Sequence, residues 1–163
     1  GQASYSVWYE LVPAAPVTIK LAITPGDSFV ASVVVSGRNV TVKITNYTTK
    51  KSFTKKLIMK SPAPDVSSAE WIAEAPSACS RSGNCVPLPL ANFGTVTFVS
   101  ASATAGGHTG PISDPRWTTS AIALEPGSST GPRGPLGGAG QSSSASAGAL
   151  SGNGSAFAVT WTS

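Results

Sequence analysis

A single histidine, a single methionine and two cysteines leave this 163-residue chain poor in metal-ligating side chains. One histidine excludes a multi-histidine metal centre and makes a chymotrypsin-like triad hard to build. Charged residues make up 11%, about half the usual share of roughly 25%. That scarcity excludes a coiled coil or a charged helical bundle. No apolar run approaches the ~18 residues that a membrane-spanning helix needs. There is neither a starting methionine nor a signal-peptide pattern, so a mature or trimmed chain is expected. Seventeen glycines and thirteen prolines interrupt every stretch that could read as helix. What remains is 40% hydrophobic, which suits one buried core, and the length suits one domain over residues 1–163. The balance of 11 basic and 7 acidic residues gives a net charge of +4.

Strand patterns fill most of the chain. Tyr5 to Val12 alternates, with Tyr5, Val7, Tyr9 and Leu11 on one face and Ser6, Trp8, Glu10 and Val12 on the other. Further strands are expected at Val17–Ile23, Ser28–Ser36, Val40–Thr45 and Ser52–Ile58. Turns at Thr24-Pro-Gly-Asp27, Gly37-Arg38-Asn39 and Thr48–Lys51 punctuate them. Later strands are expected at Ala69–Glu74, Val86–Leu90, Phe93–Val99, Arg116–Leu124 and Ser155–Trp161, with a loop from Ala101 to Pro115. Hairpins at this spacing predict an all-β, antiparallel sandwich or barrel. From about 126 to 153 the chain turns to Gly, Ser, Ala and Pro, with too little apolar surface to offset ordering entropy. A flexible loop is expected there, inside the single domain.

Cys79 and Cys85 flank Ser-Arg-Ser-Gly-Asn, a turn that a disulfide can close. A local disulfide argues for an oxidising compartment, and so for a secreted, extracellular protein. Neither a metal nor an organic cofactor is called for. The tripeptides at Asn39, Asn46 and Asn153 match the N-glycosylation pattern, but such matches arise by chance in Thr-rich strands.

Seven acidic residues are few enough to weigh singly. Asp27 suits a turn cap; Asp65, Asp114 and Glu125 stand beside prolines in loops. The others are placed where strands rarely carry them. Glu10 shares a face with Trp8, and Glu70 and Glu74 share a face with Ile72, while Trp71 and Ala73 point the other way. A solvated sheet face would explain this pattern. A cleft with paired carboxylates, one acting as general acid or base, would explain it too.

Two of these segments, Tyr5-Ser-Val-Trp-Tyr-Glu10 and Ala69-Glu-Trp-Ile-Ala-Glu-Ala-Pro76, resemble motifs of the glutamic peptidases, the eqolisin or G1 family. The Thr24–Asp27 turn, the cysteine loop, the Pro-Leu-Ala-Asn-Phe93 stretch and the closing Phe157-Ala-Val-Thr-Trp161 strand are similar as well. The resemblance implies a double β-sandwich of lectin-like (concanavalin-like) architecture and a secreted acid endopeptidase acting on polypeptide. It implies a Glu/Gln dyad in which Glu74 activates water. Trp8, Glu10 and Glu70 match the cleft lining. The family's Gln lies on a strand upstream of the Trp-Tyr-Glu motif. Neither Gln2 nor Gln141 matches it. The expectation is therefore that the Gln comes from outside this chain, on a separate N-terminal light chain or a missing segment. The alternative is an inactive relative or a non-catalytic lectin-like binding module.

Other conspicuous residues have plainer explanations. His108 in Gly-Gly-His-Thr-Gly is expected on a loop surface. Lysines 43, 50, 51, 55, 56 and 60 make one hairpin basic, but the interleaved aromatics of a nucleic-acid platform are missing. They read as a solvated edge that deters strand pairing. Neither nucleic acid nor membrane is expected as a partner.

Overall fold

Valine, isoleucine and threonine alternating with polar residues favour extended backbone. Every regular element among the described residues is a strand, and every pairing is antiparallel. The computed structural model describes residues 5–75, 77–80, 85–88, 90–122 and 144–162. The chain divides into two compact units, Gly1–Ser68 and Ala69–Ser163.

In the first unit, β1 (Val7–Tyr9) pairs with β2 (Val17–Ile19), placing Val7 opposite Ile19. A three-stranded meander follows, β3 (Phe29–Ser36), β4 (Asn39–Asn46) and β5 (Lys51–Ile58). Ser36 faces Asn39, so the first hairpin closes on a two-residue loop with Gly37 at φ 57°. The strand period puts Val40, Val42 and Ile44 on one face with Val35, Val33 and Ala31 of β3 and Leu57 and Phe53 of β5. Tyr9 of β1 stacks on Phe53 with ring centroids 6.1 Å apart. Val40 and Ile19 are buried. Thr41, Lys43 and Thr45 take the opposite face, beside Val34, Lys56 and Thr54.

In the second unit, β6 (Ser77–Cys79) pairs with β7 (Cys85–Pro87), and Cys79 stands directly opposite Cys85. A three-stranded sheet has the order β11 (Ser144–Ala147), β12 (Phe157–Thr162), β8 (Thr95–Phe98). Its core is Leu90, Ala145, Phe157 and Val159, with Trp71, Ala73, Ala75, Phe93, Phe98, Ile112 and Trp161 packed around it. Phe98 and Phe157 stack at 4.9 Å, and the Trp161 indole N–H donates to the Leu90 carbonyl at 3.0 Å.

Several boundaries differ from the sequence expectation. The first strand is only Val7–Tyr9, because a turn closed by Ala14 N–H to Leu11 C=O bends the chain at Pro13. The expected loop from Ala101 to Pro115 contains a hairpin, β9 (Ser102–Ala105) with β10 (His108–Pro111). Gly106 and Gly107 supply the positive φ angles (58° and 77°) that its two-residue turn demands. The strand expected at Arg116–Leu124 is absent over 116–122. Turns seat Trp117 there, with its indole N–H on the Pro111 and Ile112 carbonyls. Residues 123 and 124 lie outside the described residues. So do residues 126–143 of the expected Gly/Ser loop, but its end is ordered: Ser144–Ala147 is β11, and Ser151 bridges Ala156. Small side chains suffice there because the ladder against β12 satisfies the backbone and Ala145 is buried in the core.

Candidate functional site

The Trp-Tyr-Glu segment keeps its alternation beyond the strand. Val7, Tyr9 and Leu11 are half-buried, while Trp8 and Glu10 face solvent. Glu10 is not mid-strand; it follows the last paired residue, Tyr9. Trp8 is 54% exposed and lines a shallow, open depression of about 290 Å³ with Ser6, Val7, Ile23, Phe29 and Ile44. An indole left this open on an apolar depression offers stacking area at little desolvation cost.

The segment Ala69–Glu74 was expected to be a strand and forms no ladder among the described residues. Its chain is nevertheless two-faced. Trp71, Ala73 and Ala75 pack on the core of Leu90, Ala145, Phe157 and Val159. Glu70, Ile72 and Glu74 alternate with them and are exposed, Ile72 by 44%. Anchoring of the odd-numbered residues on the core therefore leaves Glu70 and Glu74 on the exposed side. Among the described residues Glu74 has no hydrogen-bond or ion-pair partner, which leaves its carboxylate oxygens available to water. Trp8 and Glu10 belong to the first unit, and Glu70 and Glu74 to the second. Each pair shares an exposed face within its own unit.

Sequence inspection missed one polar cluster. His108 is no loop residue; it opens β10 and is 27% exposed on its side chain. Its Nε2 lies 2.8 Å from Asp114 Oδ2, and its ring tilts against Trp117 at 5.7 Å. Asp114 Oδ1 accepts from the Arg116 backbone N–H at 2.9 Å. The hydrogen bond from His108, then that from Arg116, hold the Asp114 carboxyl below the usual aspartate value. The Gly-Gly turn ahead of His108 was the available signal, since it predicts a hairpin that returns His108 toward the Pro111–Asp114 turn.

A second missed cluster surrounds Asn46, which is fully buried. Its Nδ2 donates to Asp27 Oδ2 at 2.8 Å and to the Ala22 carbonyl at 3.4 Å, and its Oδ1 accepts from Thr49 N–H at 3.1 Å. Asp27 does cap its turn, accepting from Thr24 N–H at 2.9 Å. The network is structural: it holds the Thr24–Asp27 turn to the end of β4 and closes the turn that follows it.

Comparison with known proteins follows the same segments. Aspergillopepsin-2 of Aspergillus niger is 34% identical over 118 residues, covering 70% of this chain and 40% of that protein. The chain thus spans less than half the length of this curated relative. The crystal structure of aspergilloglutamic peptidase from Aspergillus niger superposes with a TM-score of 0.64 at 26% identity, over 99% of this chain and 82% of that one. The all-β antiparallel fold is therefore shared. The model of the Peptidase A4 family matches residues 1–126, which include both glutamate motifs, and the chain belongs to that family, the glutamic peptidases.

Proposed function

We propose that this chain carries the glutamate half of a secreted acid endopeptidase, with Glu74 as the general base and the catalytic Gln supplied from outside the chain. The observation that carries the reading is the anchoring of Trp71, Ala73 and Ala75 on the core, which holds Glu74 exposed on a fixed stretch. Glu74 takes a proton from the water that attacks the scissile carbonyl, and later returns it to the leaving amine. The side-chain amide of the Gln donates to the oxyanion. Glu70 lines the substrate site beside Glu74, and on the first unit Trp8 and Glu10 contact substrate, Trp8 as a stacking surface. The Gln segment reaches the site as a light chain or as an upstream part of the same precursor.

Secretion is supported by the register of Cys79 opposite Cys85. Antiparallel partners have Cα atoms about 4.5–5.5 Å apart, inside the roughly 4.4–6.8 Å that a disulfide spans. No helix among the described residues is long and apolar enough to cross a membrane.

The test is cleavage of a denatured protein at roughly pH 2–5 by the complete precursor, in the presence of pepstatin. Cleavage that survives pepstatin and disappears in Glu74→Gln is the expected result. A precursor inert at every acidic pH would overturn the peptidase reading in favour of an inactive relative or a lectin-like binding module.

A further inference from the structure

Three asparagines in this chain carry the acceptor pattern for N-linked sugar, and the fold treats them differently. Asn46 in Asn46-Tyr47-Thr48 is 0% exposed, and its amide nitrogen is committed to Asp27 and Ala22. A sugar on that nitrogen would remove a donor from a buried carboxylate contact and has no room, so the modified chain could not close β4 onto the Asp27 turn. Asn39 in Asn39-Val40-Thr41 is exposed at the first hairpin, where its Nδ2 makes only a long 3.4 Å contact to the Ser36 carbonyl. Asn153 in Asn153-Gly154-Ser155 is exposed at a turn tip, in left-handed conformation at φ 57°, with no side-chain hydrogen bond among the described residues.

We infer that Asn39 and Asn153 are glycosylation sites and that Asn46 is not. The donor is a polyprenyl-diphosphate-linked oligosaccharide. The Asn amide nitrogen forms a bond to the anomeric carbon, the bond from that carbon to the diphosphate oxygen breaks, and the lipid diphosphate leaves with the electron pair. The amide proton passes to a base of the transferase. This inference rests on the proposed secretory route, since the transfer occurs there.

A second feature favours Asn39. It lies on the same face of the meander as Val34 and Ile58, because Asn39 is the register partner of Ile58 and Thr41 of Val34. Val34 is 59% exposed and Ile58 65%, on the two edge strands of the sheet. A bulky hydrated sugar at Asn39 would shield these apolar edges from pairing with another chain.

The test imposes the route, so that failure of native secretion cannot be mistaken for failure of the sites. The full chain is secreted from a yeast host behind a heterologous signal, and its peptides are mapped before and after treatment with an N-glycan-releasing amidase. Sugar is expected on Asn39 and Asn153, with Asn46 recovered unmodified. Asn39→Gln and Asn153→Asp should each remove one of the two glycans. Thr41→Val, which keeps Asn39 and a β-branched strand residue, should remove the same glycan as Asn39→Gln. Sugar on Asn46 in the folded product, or its absence from Asn39 or Asn153, would overturn the assignment.

Discussion

Asn46, with no exposed surface, donates its side-chain amide to the Asp27 carboxylate at 2.8 Å, tying the end of β4 to a turn nineteen residues earlier. Because the partner is a carboxylate, this bond is stronger than one between neutral groups. Asn46→Ala would leave Thr49 N–H without its acceptor and Asp27 Oδ2 with only the Thr24 N–H as donor. The expected cost is about 2–4 kcal/mol, read as a lowered urea midpoint with an unchanged slope. Asn46→Asp is the sharper probe. It sets two carboxyl groups against each other, so its destabilisation should be greatest at neutral pH and should shrink as acid protonates one of them. A variant whose midpoint does not move with pH would show that the contact carries little energy.

The pair of His108 and Asp114 gives the second unit its own pH dependence. Asp114 is held below its ordinary value of 3.8, first by the hydrogen bond from His108 and then by the Arg116 backbone N–H. A folded value below the unfolded one means that the contribution is complete above the unfolded value and fades as pH falls through the folded one. Asp114→Asn keeps the shape and removes the charge. Its melting temperature should lie below that of the parent at about pH 6, and the two should converge near pH 2. Gly110→Ala should act through the same contact, because a Cβ at that position would collide with the Asp114 carboxyl and push it off His108. It should lower the melting temperature at pH 6 by several degrees and flatten the pH dependence.

The long meander was legible in the sequence because its information is local. Two strands of eight alternating residues around Gly37-Arg38, and a third after Thr48–Lys51, specify partners and register without distant help. The two faces of Ala69–Ala75 were legible for the same reason, even though the expected ladder does not form: alternation reports burial, and the burial here comes from a core that includes Ala145, Phe157 and Val159. Asn46 was not legible. A polar residue ending a strand looks like a turn residue, and only the return of Asp27 from the preceding turn shows that it is interior. His108 looked like a loop residue because its partner Asp114 lies at the far end of the Pro111–Asp114 turn, which carries no hydrophobic period. β11 was hidden by its composition, since Ser and Ala carry almost no strand preference and the ladder to β12 decides their conformation.

The register of Cys79 against Cys85 suits the proposed disulfide, whose contribution to stability is measurable. Closing so short a loop restricts the unfolded chain by roughly 2 kcal/mol in the chain-entropy account. Non-reduced peptide mapping should recover Cys79 and Cys85 in one linked species. Reduction should then lower the melting temperature of the oxidised protein, whereas a Cys79→Ser/Cys85→Ser variant should show no response to reductant. Two thiols that alkylate fully in the native, unreduced protein would remove both the disulfide and its support for secretion.

Glu74 and Trp71 separate chemistry from scaffolding, because they occupy opposite faces of one extended segment. Glu74 is exposed, so Glu74→Gln should change stability by less than about 0.5 kcal/mol. If Glu74 accepts the proton of the attacking water, the same change should lower turnover by roughly 10²–10⁴-fold. Trp71 touches the core and not the solvent face, so Trp71→Ala should cost about 2 kcal/mol in stability. Its turnover should fall as well, through loss of the anchor that positions Glu74, and Trp71→Phe should restore much of both. Glu70→Gln should reduce turnover less than Glu74→Gln, since the proposed role of Glu70 is to tune the site through its negative charge. Kinetics on the complete precursor, paired with urea melts of each variant, distinguish these outcomes. Should Glu70→Gln abolish turnover while Glu74→Gln retains it, the general base is Glu70 and the alternation has been assigned to the wrong carboxylate.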